Sequence, residues 1–177
     1  MTNIARITMV TGGARSGKSL LAETLAARGG AGRIYIATAE AWDDEMTQRI
    51  ALHRDRRGAD WRTVEAPQDL AGALSASDGQ GAVRLVDCLT LWLSNILDAE
   101  SPRARIDALC ATLSAQHSPV VLVTNELGMG IVPENALARR FRDEHGWMNQ
   151  AVAAVADEVW MAVSGLPLCL KPSRGTL

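Results

Sequence analysis

The sequence predicts an α/β fold in which helices cover both faces of a mainly parallel β-sheet. Short apolar segments rich in Val, Ile and Leu alternate along the chain with longer segments of helical periodicity. The apolar segments are continuous, which is typical of strands that are buried on both faces. A chain of 177 residues has the length of one ordinary domain, so we expect a single domain over residues 1–177.

The elements follow one another in a regular order. Strands are predicted at 4–10, 33–38, 61–65, 82–86, 120–123, 159–163 and 167–170. Helices are predicted at 20–28, 43–57, 89–97, 103–115 and 135–156, and a further short helix is predicted to open at Ala66-Pro67. One broad apolar face of the last helix comprises Leu137, Phe141, Met148, Val152 and Val155. Residues 171–177, beginning with Lys171, are predicted to be a loosely attached tail.

Composition argues against several classes of protein. The formal net charge is −2 and the pI is about 5.9, whereas non-specific nucleic-acid binders usually carry a basic excess. Apolar runs stay short of the roughly 18 residues of a membrane span, and the first strand begins too early for a signal peptide. The three cysteines, Cys88, Cys110 and Cys169, lack C-x-x-C spacing. We therefore expect a cytoplasmic protein with reduced thiols, no nucleic-acid partner and no membrane span.

The segment after the first strand matches the phosphate-binding P-loop pattern G-x-x-x-x-G-K-[ST] at every position. It consists of Gly12, Gly13, Ala14, Arg15, Ser16, Gly17, Lys18 and Ser19. Its glycines let backbone N–H groups approach phosphate oxygens at the positive end of the next helix. Lys18 can reach the β- and γ-phosphates, and the Ser19 hydroxyl can ligate Mg²⁺. A glycine turn that merely starts a helix would not need the full eight-residue match.

Residues that end the other strands are candidates for the rest of a nucleotide site, because ligands of open parallel sheets bind beyond the carboxyl ends of the strands. Asp87 is expected to hold Mg²⁺, with helix capping as the alternative. The remaining strand-end candidates, for which turn or capping roles stay open, are Thr38, Ala39, Glu40, Asn125 and Glu126.

The predicted helix after the second strand carries a cationic stripe. Its members at i, i+4, i+7 and i+8 are Arg49, His53, Arg56 and Arg57. Neighbouring cations favour the neutral imidazole, which can attack phosphorus and form a covalent phosphoramidate. Spacing alone leaves open the alternative of a solvated charged face. His117 and His145 have no comparable cationic surround, and we expect both to be structural.

Six sequence motifs occur together in one known family. They are TGGARSGKS at 11–19, YIATA at 35–39, DDEM at 43–46 followed by Arg49, Ile50 and His53, VDCLT at 86–90, VTNELGMGIVPEN at 123–135 and ADEVW at 156–160. In this order, and over nearly the whole chain, they resemble the bifunctional adenosylcobinamide kinase/adenosylcobinamide-phosphate guanylyltransferase family of cobalamin biosynthesis.

The resemblance implies a two-step transferase. The family phosphorylates the aminopropanol hydroxyl of adenosylcobinamide with ATP or GTP. It then transfers GMP from GTP to that phosphate through a covalent histidine intermediate, giving adenosylcobinamide-GDP and pyrophosphate. By position in the motif, the histidine is His53. The resemblance also implies a RecA-like P-loop fold, assembled as a homotrimer with sites near the subunit interfaces.

The same resemblance implies which residues contact GTP. Besides the P-loop they are Thr38, Ala39, Glu40, Arg54, Asp55, Arg56, Arg57, Glu65 and Asp87. Glu65 or Asp87 can accept hydrogen bonds from guanine, a task that Mg²⁺ ligation would exclude for the same carboxylate. The sequence leaves this division open. Core packing is the expected role of Trp42, Trp61, Trp92 and Trp147, with a flat corrinoid contact as the alternative.

Two other functions are compatible with a P-loop. One is a kinase-only phosphotransferase for another small alcohol, in which Arg139, Arg140 and Arg142 serve as lid arginines. The stripe around His53 argues against it, because a plain kinase does not need a nucleophilic histidine. The other is a regulatory GTPase. The absence of the N-K-x-D guanine-recognition motif from the sequence argues against it.

Overall fold

The computed structural model describes residues 4–30, 32–39, 60–99 and 101–172. Its strands β1 to β7 span Ile7–Gly12, Gly32–Ala37, Trp61–Glu65, Ala82–Asp87, Val120–Val123, Glu158–Val163 and Leu166–Lys171. Its helices α1 to α5 span Lys18–Ala27, Leu70–Ala76, Leu89–Ile96, Pro102–Ala115 and Ala136–Val155. These elements match the predicted ones to within a few residues at each end. The helix predicted at 43–57 lies outside the described residues.

All of these strands form one sheet in the order β3-β2-β4-β5-β1-β6-β7. Every neighbouring pair from β3 to β6 is parallel, and β7 alone runs antiparallel, beside β6. The first strand of the chain therefore lies between β5 and β6, which come from its second half. This arrangement confirms the predicted mainly parallel sheet.

Helices cover both faces of the sheet, as predicted. On one face α1 packs Leu25 and Ala26 against the central strands. On the other face α2 to α5 form the larger core, in which Trp92 is 2% exposed and Met148 and Val152 are fully buried. The continuous apolar run of β5 is buried along its whole length, because both faces of this strand are covered. None of the described helices has both the length and the apolar character to cross a membrane.

Side-chain caps determine where three of the helices begin. Asp69, Ser101 and Asn135 each accept a hydrogen bond from the backbone N–H three residues later, which satisfies a donor that has no partner inside the helix. The prediction that a short helix opens at Ala66-Pro67 is therefore wrong by a few residues, since the cap at Asp69 starts α2 at Leu70.

The predicted apolar face of the last helix is wrong at Leu137. This side chain is 56% exposed in the first turn of α5. Contact with the core begins one turn later, at Phe141, and continues through Met148, Val152 and Val155. The first turn of α5 therefore extends past the core, and helical periodicity by itself does not show where a helix leaves its support.

The strand β7 is an exposed edge, unlike the strands in the middle of the sheet. Leu166, Leu168 and Leu170 are 70%, 52% and 53% exposed. Lys171 ends this strand, and its ammonium donates to the carbonyls of Ala153 and Ala156 at the end of α5, where carbonyls lack intrahelical partners. Lys171, the first residue of the predicted tail, is therefore held in β7, and residues 173–177 lie outside the described residues.

A buried cation lies in the middle of the sheet. Arg84 in β4 has a fully buried side chain, and its guanidinium donates to the carbonyls of Ser118 and Pro119. Its Nη1 atom lies 3.3 Å from Oδ1 of Asp78. Burial lowers the pKa of Arg84 and the charge of Asp78 raises it. The carbonyls and the carboxylate together offset the cost of burying this charge.

Candidate nucleotide-binding site

The carboxyl ends of β1 to β5 meet at one edge of the sheet, and the register fixes their order. Ala37 in β2 pairs with Glu65 in β3 on one side and with Asp87 in β4 on the other. Asp87 pairs in turn with Val123 in β5, and Val123 pairs with Val10 in β1. At about 4.8 Å per strand, the Cα of Asp87 lies about 10 Å from that of Val10 and the Cα of Glu65 about 19 Å from it.

The P-loop leaves β1 at this edge. Its turn is closed by the N–H of Ser16, which donates to the carbonyl of Gly13 at 3.3 Å. The Lys18 ammonium donates to the same carbonyl at 3.2 Å. Gly17, which caps α1, has a φ of +93°, a conformation that favours glycine. The helix α1 starts at Lys18, so its positive end adjoins the loop and favours an anion there.

Close backbone contacts support the P-loop from two other segments. The N–H of Glu126 donates to the carbonyl of Gly12 at 3.1 Å, and the N–H of Gly165 in the β6–β7 turn donates to that of Ser16 at 2.9 Å. A Cβ on Gly12 would lie 2.6 Å from a β6 carbonyl oxygen, and one on Gly17 would lie 3.2 Å from the Cα of Gly165. The loop therefore needs glycine for its own packing as well as for approach to phosphate.

Asp87 and Lys18 both act on the same buried thiol. Burial, together with the charge of Asp87, raises the pKa of Cys88 to about 11, although the charge of Lys18 opposes the shift. The Asp87 carboxyl is half-buried, and its Oδ2 accepts a hydrogen bond from the Tyr35 hydroxyl at 3.2 Å. The raised pKa keeps the Cys88 thiol neutral near pH 7, so it is a poor nucleophile.

Thr38 holds two parts of the site together. Its hydroxyl donates to the carbonyl of Cys88 and accepts from the N–H of Cys88, each at 2.8 Å. Its own carbonyl accepts from Asn95, and the side chain is fully buried. A nucleotide that bound the Thr38 hydroxyl would have to break these bonds, so this hydroxyl is structural. Ala39, the next residue, is half-buried at the same strand end.

Several predicted site residues lie outside the described residues. They are Glu40, Arg49, His53, Arg54, Asp55, Arg56 and Arg57. The described part of the chain brings together the P-loop and the ends of β2, β3, β4 and β5. The guanidinium groups of Arg139 and Arg140 donate to main-chain carbonyls, so the structure gives no support to a lid role for these two.

The tryptophans differ in their environments. Trp92 lies in the core, as predicted, and its indole N–H donates to the carbonyl of Gln68 at 2.9 Å. Trp61 is half-buried and packs edge-on against Tyr35. Trp147 is 46% exposed, with the guanidinium carbon of Arg103 lying 3.7 Å from its ring centre. Core packing is therefore the wrong role for Trp147. Trp42 lies outside the described residues.

A buried polar cluster lies behind the ends of β4 and β5. We call it the His145 cluster, and its members are Thr90, Thr124, His145 and Asn149. Nε2 of His145 lies 2.9 Å from Oγ1 of Thr90, and the Thr124 hydroxyl donates to Oδ1 of Asn149 at 2.8 Å. Asn125 is held at both main-chain groups: its N–H donates to Thr90 Oγ1 and its carbonyl accepts from Asn149, each at 3.0 Å. The cluster thereby fixes the chain where it leaves β5.

The cluster confirms that His145 is structural. The residue is 1% exposed, and burial lowers its pKa to about 4, although the charge of Glu126 opposes the shift. His117 is exposed and contacts Asp78 through Nδ1 at 3.0 Å. The sequence analysis missed the cluster. A possible signal was the i, i+4 spacing of His145 and Asn149, combined with threonines close after two adjacent strands.

The donor set at the phosphate end of the site fits Mg²⁺. Ser19 and Asp87 offer hydroxyl and carboxylate oxygens, which this ion prefers. Across 4–30, 32–39, 60–99 and 101–172, no three or more His, Cys, Asp or Glu side chains are grouped so that they could hold a metal. Mg²⁺ usually takes one or two protein oxygens together with phosphates and water. The residues present therefore fit a metal that arrives with the nucleotide.

The fold and the loop together define the class of protein. The structure is similar to that of the RadB recombinase, with a TM-score of 0.54 at 14% identity, over 89% of this chain and 74% of the recombinase. It is also similar to a KaiC-like protein of Pyrococcus horikoshii OT3, with a TM-score of 0.51 at 13% identity, over 89% of this chain and 71% of that protein. The chain is thus an α/β protein of the RecA-like P-loop class.

Sequence comparison gives the family within this class. The chain belongs to the cobinamide kinase/cobinamide phosphate guanyltransferase family, which it matches over residues 8–170. It is 50% identical over 167 residues to the bifunctional adenosylcobalamin biosynthesis protein CobP of Pseudomonas aeruginosa, covering 92% of this chain and 96% of that protein. It is 46% identical over 180 residues to CobU of Salmonella typhimurium, covering 92% and 98%. The family expected from the sequence motifs is confirmed.

The neutral state of His145 has a consequence for stability. The unfolded chain binds a proton near the ordinary value of 6.5, and the folded chain does so only near pH 4. Unfolding therefore takes up a proton between these pH values. The contribution of the neutral His145 to the free energy of unfolding is fully present above pH 6.5 and is lost as the pH falls toward 4. We expect about 3 kcal/mol of stability to be lost in this window through His145.

Urea unfolding at pH 7 and pH 4 measures this loss. The His145→Gln variant should be less stable than the wild type at pH 7 but should lose less stability on acidification, because it lacks the imidazole. Carboxylates titrate in both proteins, so their effect on stability cancels when the two losses are compared. Equal losses in the two proteins would contradict the assignment.

Proposed function

We propose that the protein phosphorylates adenosylcobinamide with ATP or GTP and then transfers GMP from GTP to the new phosphate, releasing pyrophosphate. Family membership supports this pair of reactions. The observation that carries the proposal is the P-loop with Lys18 at its end, beside the acidic strand end at Asp87. A phosphate bound in the loop would meet the Lys18 ammonium and the positive end of α1.

In the phosphorylation step, the protein would act mainly by positioning and charge. The loop amides and Lys18 bind the β- and γ-phosphates and stabilise the negative charge as the γ-phosphoryl group is transferred. We assign Ser19 and Asp87 as the residues that hold Mg²⁺. When bound, this ion neutralises phosphate charge and orients the phosphates. The substrate hydroxyl attacks the γ-phosphorus directly, so this step does not need a nucleophilic histidine.

In the guanylyl-transfer step, we propose His53 as the nucleophile. Its imidazole attacks the α-phosphorus of GTP, and the departing pyrophosphate is stabilised by Lys18 and the loop amides. The cobinamide phosphate then displaces the histidine. The proposal for His53 rests on the cationic stripe in the sequence and on the family resemblance. The further GTP contacts proposed on that resemblance are Ala39, Glu40, Arg54, Asp55, Arg56 and Arg57, with Thr38 limited to its main chain.

Covalent labelling tests the role of His53. The wild type, incubated with Mg²⁺ and GTP labelled at the α-phosphate, should retain an acid-labile label after denaturation, and γ-labelled GTP should leave none. His53→Ala should lose the label and guanylyl transfer, because that step uses the imidazole. The variant should keep much of the phosphorylation activity, because that step does not. His117→Ala, which removes an exposed imidazole, is the matched control and should label normally.

Two outcomes of the labelling would count against this division. Equal loss of both activities in a folded His53→Ala variant would show that the residue is needed for both steps. Absence of label from wild-type protein that still binds nucleotide would favour the kinase-only alternative.

The spacing of the strands supports different roles for Asp87 and Glu65, the two acids that end β4 and β3. Asp87 is two strands from β1, close enough to the P-loop to reach a metal at Ser19. Glu65 is four strands away and is exposed. We therefore propose that Asp87 holds Mg²⁺ and that Glu65 accepts hydrogen bonds from the guanine N1–H and amino group at the far end of the nucleotide.

Nucleotide binding by calorimetry separates these roles. Glu65→Gln should weaken GTP binding about 10- to 100-fold, the worth of a hydrogen bond to a charged group, and should leave ATP binding unchanged. Asp87→Asn should reduce the benefit of Mg²⁺ for both nucleotides. If Asp87→Asn instead weakened GTP binding alone and Glu65→Gln reduced the benefit of Mg²⁺, Asp87 would be the guanine contact and Glu65 the Mg²⁺ ligand.

We also propose that the protein works as a homotrimer in the cytoplasm. The described cysteines are unpaired thiols, which suits a reducing compartment. The exposed leucines of β7 form an apolar edge that a second copy of the chain would cover. Sedimentation equilibrium should give three times the chain mass of 18.9 kDa. A monomeric mass at assay concentrations would refute the trimer.

A further inference from the structure

The loop between β5 and α5 brings one more acid to the P-loop. Glu126 follows β5, the strand next to β1, and its N–H donates to the carbonyl of Gly12 at 3.1 Å. Asp87 ends a strand one place further from β1, and Glu65 ends one three places further. Among the described acids at the ends of these strands, Glu126 is therefore the nearest to the P-loop.

The Glu126 carboxylate is held on one side. Its Oε1 accepts a hydrogen bond from the N–H of Gly128 at 2.6 Å. Within the part of the chain that the structure describes, Oε2 takes part in no hydrogen bond or ion pair. The residue is half-buried, so the side chain is partly restrained and still accessible. A carboxylate with one oxygen fixed and the other accessible can accept a proton from a group that binds beside it.

The position of Glu126 is fixed from behind by the His145 cluster. The residue before it, Asn125, is bonded at its N–H by Thr90 and at its carbonyl by Asn149. These bonds restrict the main chain at Glu126. The N–H of Glu126 is itself hydrogen-bonded to the P-loop. The carboxylate thus stands on a piece of loop that hydrogen bonds hold in place, and a fixed position favours proton transfer.

Neighbouring titratable groups are less suited to the same task. His145 is 1% exposed and enclosed by its cluster, so a substrate hydroxyl cannot reach it. The Asp87 carboxyl accepts from Tyr35 and is assigned to Mg²⁺ above. Glu134, on the same loop, is exposed and lies just before α5, further along the loop from the end of β5 than Glu126.

We propose that Glu126 is the proton acceptor in the phosphorylation step, an inference that rests on the proposed function. Oε2 takes the proton of the substrate hydroxyl while the hydroxyl oxygen forms a bond to the γ-phosphorus. The bond between that phosphorus and the β,γ-bridging oxygen breaks, and the nucleoside diphosphate leaves with the electron pair. The proton then passes from Glu126 to solvent. Guanylyl transfer does not need Glu126, because its acceptor is a phosphate oxygen that is already an anion.

The test uses Glu126→Gln. The amide oxygen of glutamine can still accept the Gly128 N–H, so the turn is kept, but the side chain can no longer take up a proton. We expect the kcat of phosphorylation to fall about 100-fold or more, with the KM for nucleotide little changed. Guanylyl transfer to separately prepared adenosylcobinamide phosphate should proceed as in the wild type. Glu134→Gln, which neutralises an exposed acid of the same loop, should leave both activities unchanged.

The outcomes separate the inference from the function on which it rests. A wild type that fails to phosphorylate adenosylcobinamide would refute the proposed function and the inference with it. A wild type that does so, beside a Glu126→Gln variant with nearly the same kcat, would refute the inference alone and leave Glu126 as a residue that closes its own turn. Equal loss of both activities in a folded Glu126→Gln variant would also refute it.

Discussion

The parallel register of β1 to β5 is the constraint on which the site depends. Backbone hydrogen bonds between neighbouring strands place Glu65, Ala37, Asp87, Val123 and Val10 in one row. A slip of one residue in any strand would turn its apolar side chains to the other face and move its last residue out of this row. In β1, β4 and β5, which are buried along nearly their whole length, such a slip would break the close packing on both faces of the sheet. The same hydrophobic core that stabilises the sheet thus aligns the residues that end its strands.

The loop and the strand ends are held by backbone contacts and by a satisfied polar cluster. The P-loop packs against a β6 carbonyl so closely that a Cβ on Gly12 would clash with it. Behind β4 and β5, hydrophobic packing gives way to the His145 cluster, whose members have partners for most of their polar atoms. Buried polar groups with partners rigidify their surroundings, because each bond restricts the others. The site therefore has a stiff base on which the nucleotide phosphates would bind.

Features written in local patterns could be predicted from the sequence. The P-loop, the continuous strand at 120–123 and the helix that follows Ser101-Pro102 each depend on a few neighbouring residues. Contacts between distant parts of the chain could not be predicted in this way. The bonds of Arg84 to Ser118 and Asp78, the buried hydroxyl of Thr38 and the order of strands in the sheet all depend on the tertiary structure. Leu137 shows the same limit. It fits the apolar periodicity of the last helix, but the first turn of that helix does not contact the core.

The position of β1 in the sheet also governs when the phosphate-binding loop can form. This strand is synthesised before its neighbours β5 and β6, which come from the second half of the chain, and the Gly165 turn that bonds Ser16 comes later still. Contacts between residues so far apart in sequence form late and slowly, because a long loop of chain must close first. A nascent chain that has emerged only as far as β4 thus carries the complete motif without the strands and the turn that hold it in the folded protein.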